Sequence, residues 1–133
     1  MPATEPHEAT TRVNTVLLID DSPVQLRVRE QVLRGAGFEV HIATSGESAV
    51  ALLRSPLGKS VATIISDHIM PGLSGPDLVR NLRQAVPRAD IIIISGMAEA
   101  EGEYEGLDII FRQKPCPPAE LIELVRRATQ RAA

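Results

Sequence analysis

The sequence predicts an α/β protein whose core is an open, parallel β-sheet of five strands. Five short apolar runs alternate with segments of helical pattern along the 133 residues. Four of these runs are nearly continuous in Val, Ile and Leu, which is typical of parallel strands buried on both faces. Polar residues follow the runs at their carboxyl ends, and a parallel sheet brings such ends to one edge, where ligands bind.

The composition indicates a single folded domain and excludes several classes of protein. A chain of 133 residues with 44% apolar content can bury one core. The net charge of −3 and the scattered arginines offer no broad basic surface for nucleic acid. The single cysteine, Cys116, excludes an internal disulfide. We expect no leader and no membrane-spanning segment, because the sequence shows neither a charged-then-apolar start nor a long apolar run. We expect a cytoplasmic protein that binds neither DNA nor a membrane directly.

The first residues differ in pattern from the rest of the chain. The stretch MPATEPHEATTRVN, residues 1–14, contains prolines and polar residues without an apolar period. Such a segment buries too little apolar surface to offset the entropy of ordering it. We predict a mobile N-terminal tail over residues 1–14 and a folded domain over residues 15–131.

The strands and helices of the predicted domain can be assigned in order. The strands are the runs VLLID, FEVHIA, VATIISD, ADIIIIS and DIIFRQ. The first helix, residues 23–36, has Pro23 in its first turn. Its buried side is expected to be formed by Val24, Val28, Val32 and Leu33. Thr44 and Glu47 are predicted to form a capping box for the second helix. The last two helices carry apolar stripes at Leu78, Val79, Leu82 and Val86, and at Leu121, Ile122, Val125 and Ala128.

The stretch between the fourth and fifth strands lacks a convincing helical pattern. Its acidic segment, residues 99–105, places a glutamate at every second position. Gly102 and Gly106 interrupt this run, and its apolar content is too low for a buried stripe. We therefore predict a short or irregular fourth helix at this place.

Polar side chains suited to phosphate chemistry are expected at the carboxyl edge of the sheet. They follow four different strands, as Asp20, Asp21, Asp67, Ser95 and Lys114. Crowded carboxylates repel each other unless a cation neutralises them, and oxygen ligands suit Mg²⁺ or the similar Mn²⁺. Asp67 can then act as a nucleophile that accepts a phosphoryl group. Lys114 and the Ser95 hydroxyl would stabilise the charge on the phosphoryl oxygens.

These motifs resemble a known family in their order and spacing. The acidic pair DD follows the first strand, DHIMPGLSG the third, SG the fourth and KP the fifth. From about Val16 to Ala128, the chain resembles the receiver domain of two-component response regulators, including the chemotaxis regulators. The resemblance implies a flavodoxin-like, doubly wound sheet with strand order 2-1-3-4-5.

The resemblance also implies roles for individual residues. Asp67 would be the phosphoacceptor. Mg²⁺ would be bound directly by Asp21, Asp67 and the backbone carbonyl of Ile69, with Asp20 acting mainly through water. Lys114 would pair with the phosphate, and the Lys114–Pro115 peptide bond is often cis in such domains. The switch residues would be Ser95, whose hydroxyl moves toward the phosphoryl group, and Phe111, which moves inward behind it.

In function, the resemblance implies a phosphorylation switch without enzymatic activity beyond its own phosphorylation and dephosphorylation. The phosphodonor would be a sensor histidine kinase or a histidine phosphotransfer protein. Modification of Asp67 would change a surface that binds a downstream protein, or one that forms a phosphorylation-dependent dimer. We expect no output domain in this chain.

Three alternatives remain open from the sequence. The chain could be a receiver cut from a hybrid kinase or from a longer regulator. It could be an aspartyl-phosphate phosphohydrolase. Such enzymes usually have a second acid two residues after the nucleophile, and Ile69 at that position disfavours this alternative. The third alternative is a flavin-binding electron carrier, which needs a hydroxyl-rich phosphate loop after the first strand. The acidic stretch DDSP at that place would repel a phosphate and disfavours this alternative.

Overall fold

The computed structural model describes residues 14–68, 72 and 74–132. Its five strands are β1 (Thr15–Ile19), β2 (Glu39–Ala43), β3 (Val61–Asp67), β4 (Asp90–Ser95) and β5 (Ile110–Gln113). They form one parallel sheet with the order β2-β1-β3-β4-β5. The predicted fold class and strand order are confirmed. The predicted tail, residues 1–14, lies outside the described residues apart from Asn14.

Helices cover both faces of the sheet. They are α1 (Pro23–Gly35), α2 (Gly46–Arg54), α3 (Gly75–Ala85) and α4 (Pro118–Ala132), with 3₁₀ helices at Pro56–Ser60 and Ala98–Tyr104. Side chains of α1 and α4 pack on one face against Val16 and Leu18. Those of α2 and α3 pack on the other face against Leu17 and Ile19. The sheet is therefore doubly wound, and its central strands are buried on both sides, as their continuous apolar runs predicted.

The buried side of α1 differs from the prediction. Val24 and Val28 are 73% and 55% exposed, whereas Leu26 and Leu33 are 3% and 0% exposed. The helix offers two apolar stripes, and the leucine stripe removes more apolar surface from water when it is buried. The prediction was therefore right for Leu33 and wrong for Val24 and Val28, and the side that includes Leu26 brings Arg29 toward the sheet edge.

The first turn of α2 also differs from the prediction. The residue that caps it is Ser45, whose hydroxyl accepts a hydrogen bond from the backbone N–H of Ser48. The Ser48 hydroxyl in turn accepts one from the backbone N–H of Ser45. The helix thus begins one residue later than a box of Thr44 and Glu47 requires, because two serine hydroxyls satisfy its free N–H groups.

The segment between β4 and β5 is short and irregular, as predicted. It contains the 3₁₀ helix Ala98–Tyr104, whose buried residues are Ala100 and Tyr104. Within the described part of the chain, no helix is both long and apolar enough to cross a membrane.

Candidate functional site

The sheet topology brings the predicted polar residues to one edge. Asp20 directly follows β1, Asp67 is the last residue of β3, and Ser95 is the last residue of β4. Lys114 directly follows β5, and its backbone N–H donates a 2.7 Å hydrogen bond to the carbonyl of Ser95. Because these four strands are parallel neighbours, the side chains emerge at adjacent carboxyl ends.

Asp67 and Lys114 form the centre of the site. The Lys114 Nζ lies 2.7 Å from Asp67 Oδ1. Within the described residues, this buried oxygen has no partner other than the Lys114 ammonium group. The peptide bond between Lys114 and Pro115 is cis, as the resemblance implied. The ammonium group therefore balances the Asp67 charge and leaves the oxygen able to accept a further ligand.

Asp20 is the most buried acid of the site. Its side chain accepts a 2.9 Å hydrogen bond from the Ser22 N–H and a 3.2 Å hydrogen bond from Arg29 Nη1. Burial raises the pKa of Asp20, and the nearby charge of Asp67 raises it further, against the lowering effects of the Ser22 N–H, Arg29 and Lys114. The site thus holds a carboxylate whose charged form is disfavoured.

Arg29 was missed by the sequence analysis. It lies two helical turns into α1, pairs with Asp20, and is also hydrogen-bonded to Gln25 Oε1 at 3.2 Å. A residue three positions after Leu26 and four before Leu33 shares the side that those leucines bury. Had the leucine stripe been chosen as the buried side, Arg29 would have been predicted to face the site.

The remaining predicted residues occupy different environments. Ser95 is buried, and its hydroxyl accepts a 3.0 Å hydrogen bond from the backbone N–H of Met97. Phe111 is half-buried, and its ring centroid lies 6.3 Å from that of Tyr104. Asp21 is exposed at the sheet edge. The predicted ligand Ile69 lies outside the described residues.

Sequence comparison assigns the chain to a known family. A profile described as "Response regulator receiver domain" matches residues 16–126. The chain belongs to this family. Receiver domains are signalling domains of two-component systems rather than conventional enzymes. The resemblance seen in the sequence motifs is thereby confirmed.

Individual relatives include kinases and regulators that carry receiver domains. Sensor kinase CckA of Brucella abortus is 38% identical over 85 residues, which are 64% of this chain and 9% of that protein. Hydrogenase transcriptional regulatory protein HoxA of Cupriavidus necator is 31% identical over 123 residues, which are 87% of this chain and 24% of that protein. The receiver therefore spans only a small part of each of these relatives.

Solved structures agree with this assignment. The receiver domain from the hybrid histidine kinase CckA is 32% identical and superposes with a TM-score of 0.73, covering 87% of this chain and 99% of that one. A response regulator receiver domain protein from Clostridium thermocellum is 25% identical with a TM-score of 0.79, covering 89% of this chain and 95% of that one.

Receiver domains generally bind Mg²⁺ at their acidic pocket, so the fit of this site to a divalent cation can be tested. Across residues 14–68, 72 and 74–132, no group of three His, Cys, Asp or Glu side chains is placed to hold a metal ion by itself. The receiver nevertheless places Asp20 close enough to Asp67 for their charges to repel. Within the described part of the chain, the buried Asp67 Oδ1 contacts only the Lys114 ammonium group, so it keeps a lone pair for a metal ion. Two carboxylates whose charges repel each other fit a Mg²⁺ site, in which backbone and water oxygens would complete the coordination shell.

Asp20→Asn is expected to stabilise the metal-free receiver at neutral pH. The amide keeps an oxygen for the Ser22 N–H and removes a buried charge beside Asp67, and this gain outweighs the lost hydrogen bond from Arg29, as the net rise in the Asp20 pKa indicates. Because the folded-state pKa of Asp20 lies above the ordinary 3.8, its ionised form opposes folding at neutral pH. As the pH falls toward the raised pKa of Asp20, the wild-type carboxyl gains a proton. The stability advantage of the variant over wild type should then shrink.

Thermal unfolding with chelator present, from neutral pH down to about pH 4, measures this difference. Asp108→Asn, a change at an exposed acid away from the site, is the matched control. An unchanged gap between Asp20→Asn and wild type over this range would contradict the raised pKa.

Proposed function

We propose that this receiver domain accepts a phosphoryl group on Asp67 from a phosphohistidine of a sensor histidine kinase or a phosphotransfer protein. The observation that supports it best is the 2.7 Å approach of Lys114 Nζ to Asp67 Oδ1 at the carboxyl edge, beside buried Asp20. In the reaction, a carboxylate oxygen of Asp67 attacks phosphorus and the P–N bond of phosphohistidine breaks. The bonding pair returns to the imidazole nitrogen, and Asp67 becomes an acyl phosphate.

The chain's own residues would share the stabilisation of the transferred group. Lys114 is already beside the attacking oxygen and would follow the negative charge onto the phosphoryl oxygens. The Ser95 hydroxyl donates its proton to the Met97 carbonyl at 3.3 Å and would redirect it to a phosphoryl oxygen. That exchange, followed by an inward movement of Phe111, would change the surface near β5.

A divalent cation, Mg²⁺ or Mn²⁺, would supply the positive charge that lets a phosphoryl group approach several carboxylates. Asp21, Asp67 and the carbonyl of Ile69 would bind it directly. Asp20 would act through water, because its oxygens are engaged by the Ser22 N–H and by Arg29. Arg29 would keep Asp20 oriented for that role.

The biological setting is proposed from the family. Phosphodonor kinases use ATP, so we place this receiver in the cytoplasm. A downstream protein, or a second copy of the chain, would bind the changed surface, and the net charge of −3 disfavours direct contact with nucleic acid. The receiver has no catalytic activity on other substrates in this proposal.

Beryllofluoride, which mimics an acyl phosphate, tests the proposal through binding alone. We expect it to raise the melting temperature and to shift the amide resonances of Asp67, Ser95 and Lys114, and to do so only when Mg²⁺ is present. Lys114→Met should weaken this response strongly, because the variant lacks the ammonium group that would pair with the fluorides of the ligand.

The chain offers a matched control for that variant. Lys59, the only other lysine, is exposed and lies at the opposite end of the sheet. Lys59→Met should bind beryllofluoride as wild type does. Equal responses of both lysine variants, or a full response in chelator, would contradict the proposed role of the site.

A further inference from the structure

Tyr104 connects the acidic segment to the residue that follows the phosphoacceptor. Its hydroxyl oxygen lies 2.7 Å from Nδ1 of His68, although the two residues are 36 positions apart in sequence. Tyr104 is 2% exposed and the His68 side chain is 8% exposed. A hydrogen bond excluded from water in this way is stronger than one at the surface.

The Tyr104 hydroxyl can share this hydrogen bond with either tautomer of His68. Burial, with smaller contributions from Glu103 and Asp67, raises the pKa of Tyr104 to about 12, so the hydroxyl keeps its proton. On the other side of the imidazole, Glu103 Oε2 lies 3.7 Å from Nε2. Two consecutive residues of the acidic segment therefore face the two ring nitrogens of His68.

Gly75 makes room for this contact. A Cβ atom at Gly75, the first residue of α3, would overlap the Tyr104 hydroxyl. The glycine is therefore explained by space for the tyrosine and not by a left-handed backbone, since its φ is not positive. The Tyr104 hydroxyl passes the start of α3 and reaches His68, which directly follows β3.

The Tyr104 ring also contacts the predicted switch aromatic. It meets His68 edge-on, with ring centroids 5.6 Å apart and an interplanar angle of 70°. On another side it lies 6.3 Å from Phe111, with the rings tilted by 46°. Tyr104 thus touches both the neighbour of Asp67 and the residue expected to move after phosphorylation.

The acidic segment has few other anchors. Its 3₁₀ helix buries only Ala100 and Tyr104, and the residue before it, Met97, provides no side-chain cap. Hydrogen bonds of a 3₁₀ helix have poorer geometry than those of an α-helix. The position of this segment therefore depends mainly on the contacts of Tyr104.

We propose that Tyr104 is a positioning residue whose hydroxyl, bound to His68, couples the state of Asp67 to the position of the acidic segment. This inference rests on the proposed phosphorylation of Asp67. The segment exposes its glutamates next to the site, so the coupling defines which surface changes when Asp67 is modified. The hydroxyl does not touch the reacting atoms and acts only through His68.

Hydrogen exchange of residues 98–107, with and without beryllofluoride and Mg²⁺, tests the coupling. Tyr104→Phe keeps the ring against Phe111 and removes only the hydroxyl. We expect its segment to exchange roughly fivefold faster than wild type before any ligand is added, as loss of one net hydrogen bond implies. The additional change produced by beryllofluoride in the wild-type segment should be absent, while exchange at Ser95 and Lys114 should still respond.

A second variant should break the hydrogen bond between Tyr104 and His68 without removing the hydroxyl. Gly75→Ala forces the end of the Tyr104 side chain away from His68, so it should also uncouple the segment. Ser60→Ala is the matched control, because it loses a hydroxyl hydrogen bond at the opposite edge of the sheet. Exchange in β4 reports whether each variant remains folded.

The outcomes separate this inference from the proposed function. If the segment of both Tyr104→Phe and Gly75→Ala exchanges and responds as in wild type, the positioning role is wrong. If wild type does not respond to beryllofluoride at Ser95 and Lys114, the proposed function fails. In that case faster exchange in the ligand-free variants would still support the anchoring by Tyr104, and unchanged exchange would overturn it.

Discussion

Asp67→Asn is expected to abolish phosphoryl transfer from acetyl phosphate to this receiver. The amide keeps the shape of the side chain but is a poor nucleophile, and it removes the negative charge that holds Lys114 and a divalent cation near the site. Intact-mass measurement after incubation with acetyl phosphate and Mg²⁺ should show one added phosphoryl group in wild type and none in the variant.

Two controls make this result specific to the position. Asp108→Asn changes an exposed acid outside the site and should accept a phosphoryl group as wild type does. The Asp67→Asn protein should remain folded by circular dichroism, because the loss of the ion pair with Lys114 is offset by the loss of a charge that repels Asp20. Full phosphorylation of a folded Asp67→Asn protein would contradict the assignment of the phosphoacceptor.

Leu33→Ala is expected to lower the free energy of unfolding by about 2–5 kcal/mol. Leu33 is fully buried and belongs to the cluster in which α1 and α4 pack on the sheet. Truncating it removes apolar contacts and leaves a cavity that neighbouring side chains only partly fill. Denaturant unfolding, followed by circular dichroism, measures the loss.

Val28→Ala on the same helix provides the comparison. Val28 is 55% exposed, so its truncation should change the free energy of unfolding by less than about 0.5 kcal/mol. The two variants together decide which side of α1 is buried. Equal losses, or a larger loss at Val28, would contradict the burial of Leu33 and the exposure of Val28.

The strand ends were predictable from sequence because their signal is local. A continuous apolar run such as IIII in β4 has one plausible environment, a strand buried on both faces, and the polar residue after it must then lie at the sheet edge. Asp20, Asp67, Ser95 and Lys114 were placed in this way, and the structure brings them to the same edge.

The errors arose where two local patterns competed. In α1, the valines at 24 and 28 and the leucines at 26 and 33 each form a helical stripe, and only packing on the sheet decides between them. The position of Arg29 depended on that decision, so its pairing with Asp20 was missed as well.

The contact of Tyr104 with His68 could not have been predicted, because it joins residues far apart in sequence across a space that Gly75 leaves open. The sequence gives no local indication of such a contact. Within the acidic segment, Tyr104 is a single aromatic residue among glutamates, and nothing beside it points to His68.

Identification of the phosphorylated residue tests the central claim most directly. Borohydride reduces an aspartyl phosphate to homoserine, so wild-type protein treated with acetyl phosphate and Mg²⁺ can be reduced, digested and sequenced by mass spectrometry. The account predicts homoserine at position 67 and at no other acid, and no homoserine when Mg²⁺ is removed by a chelator. Homoserine at Asp20 or Asp21 with Asp67 unchanged, or a phosphoryl group that survives borohydride on His68, would contradict it.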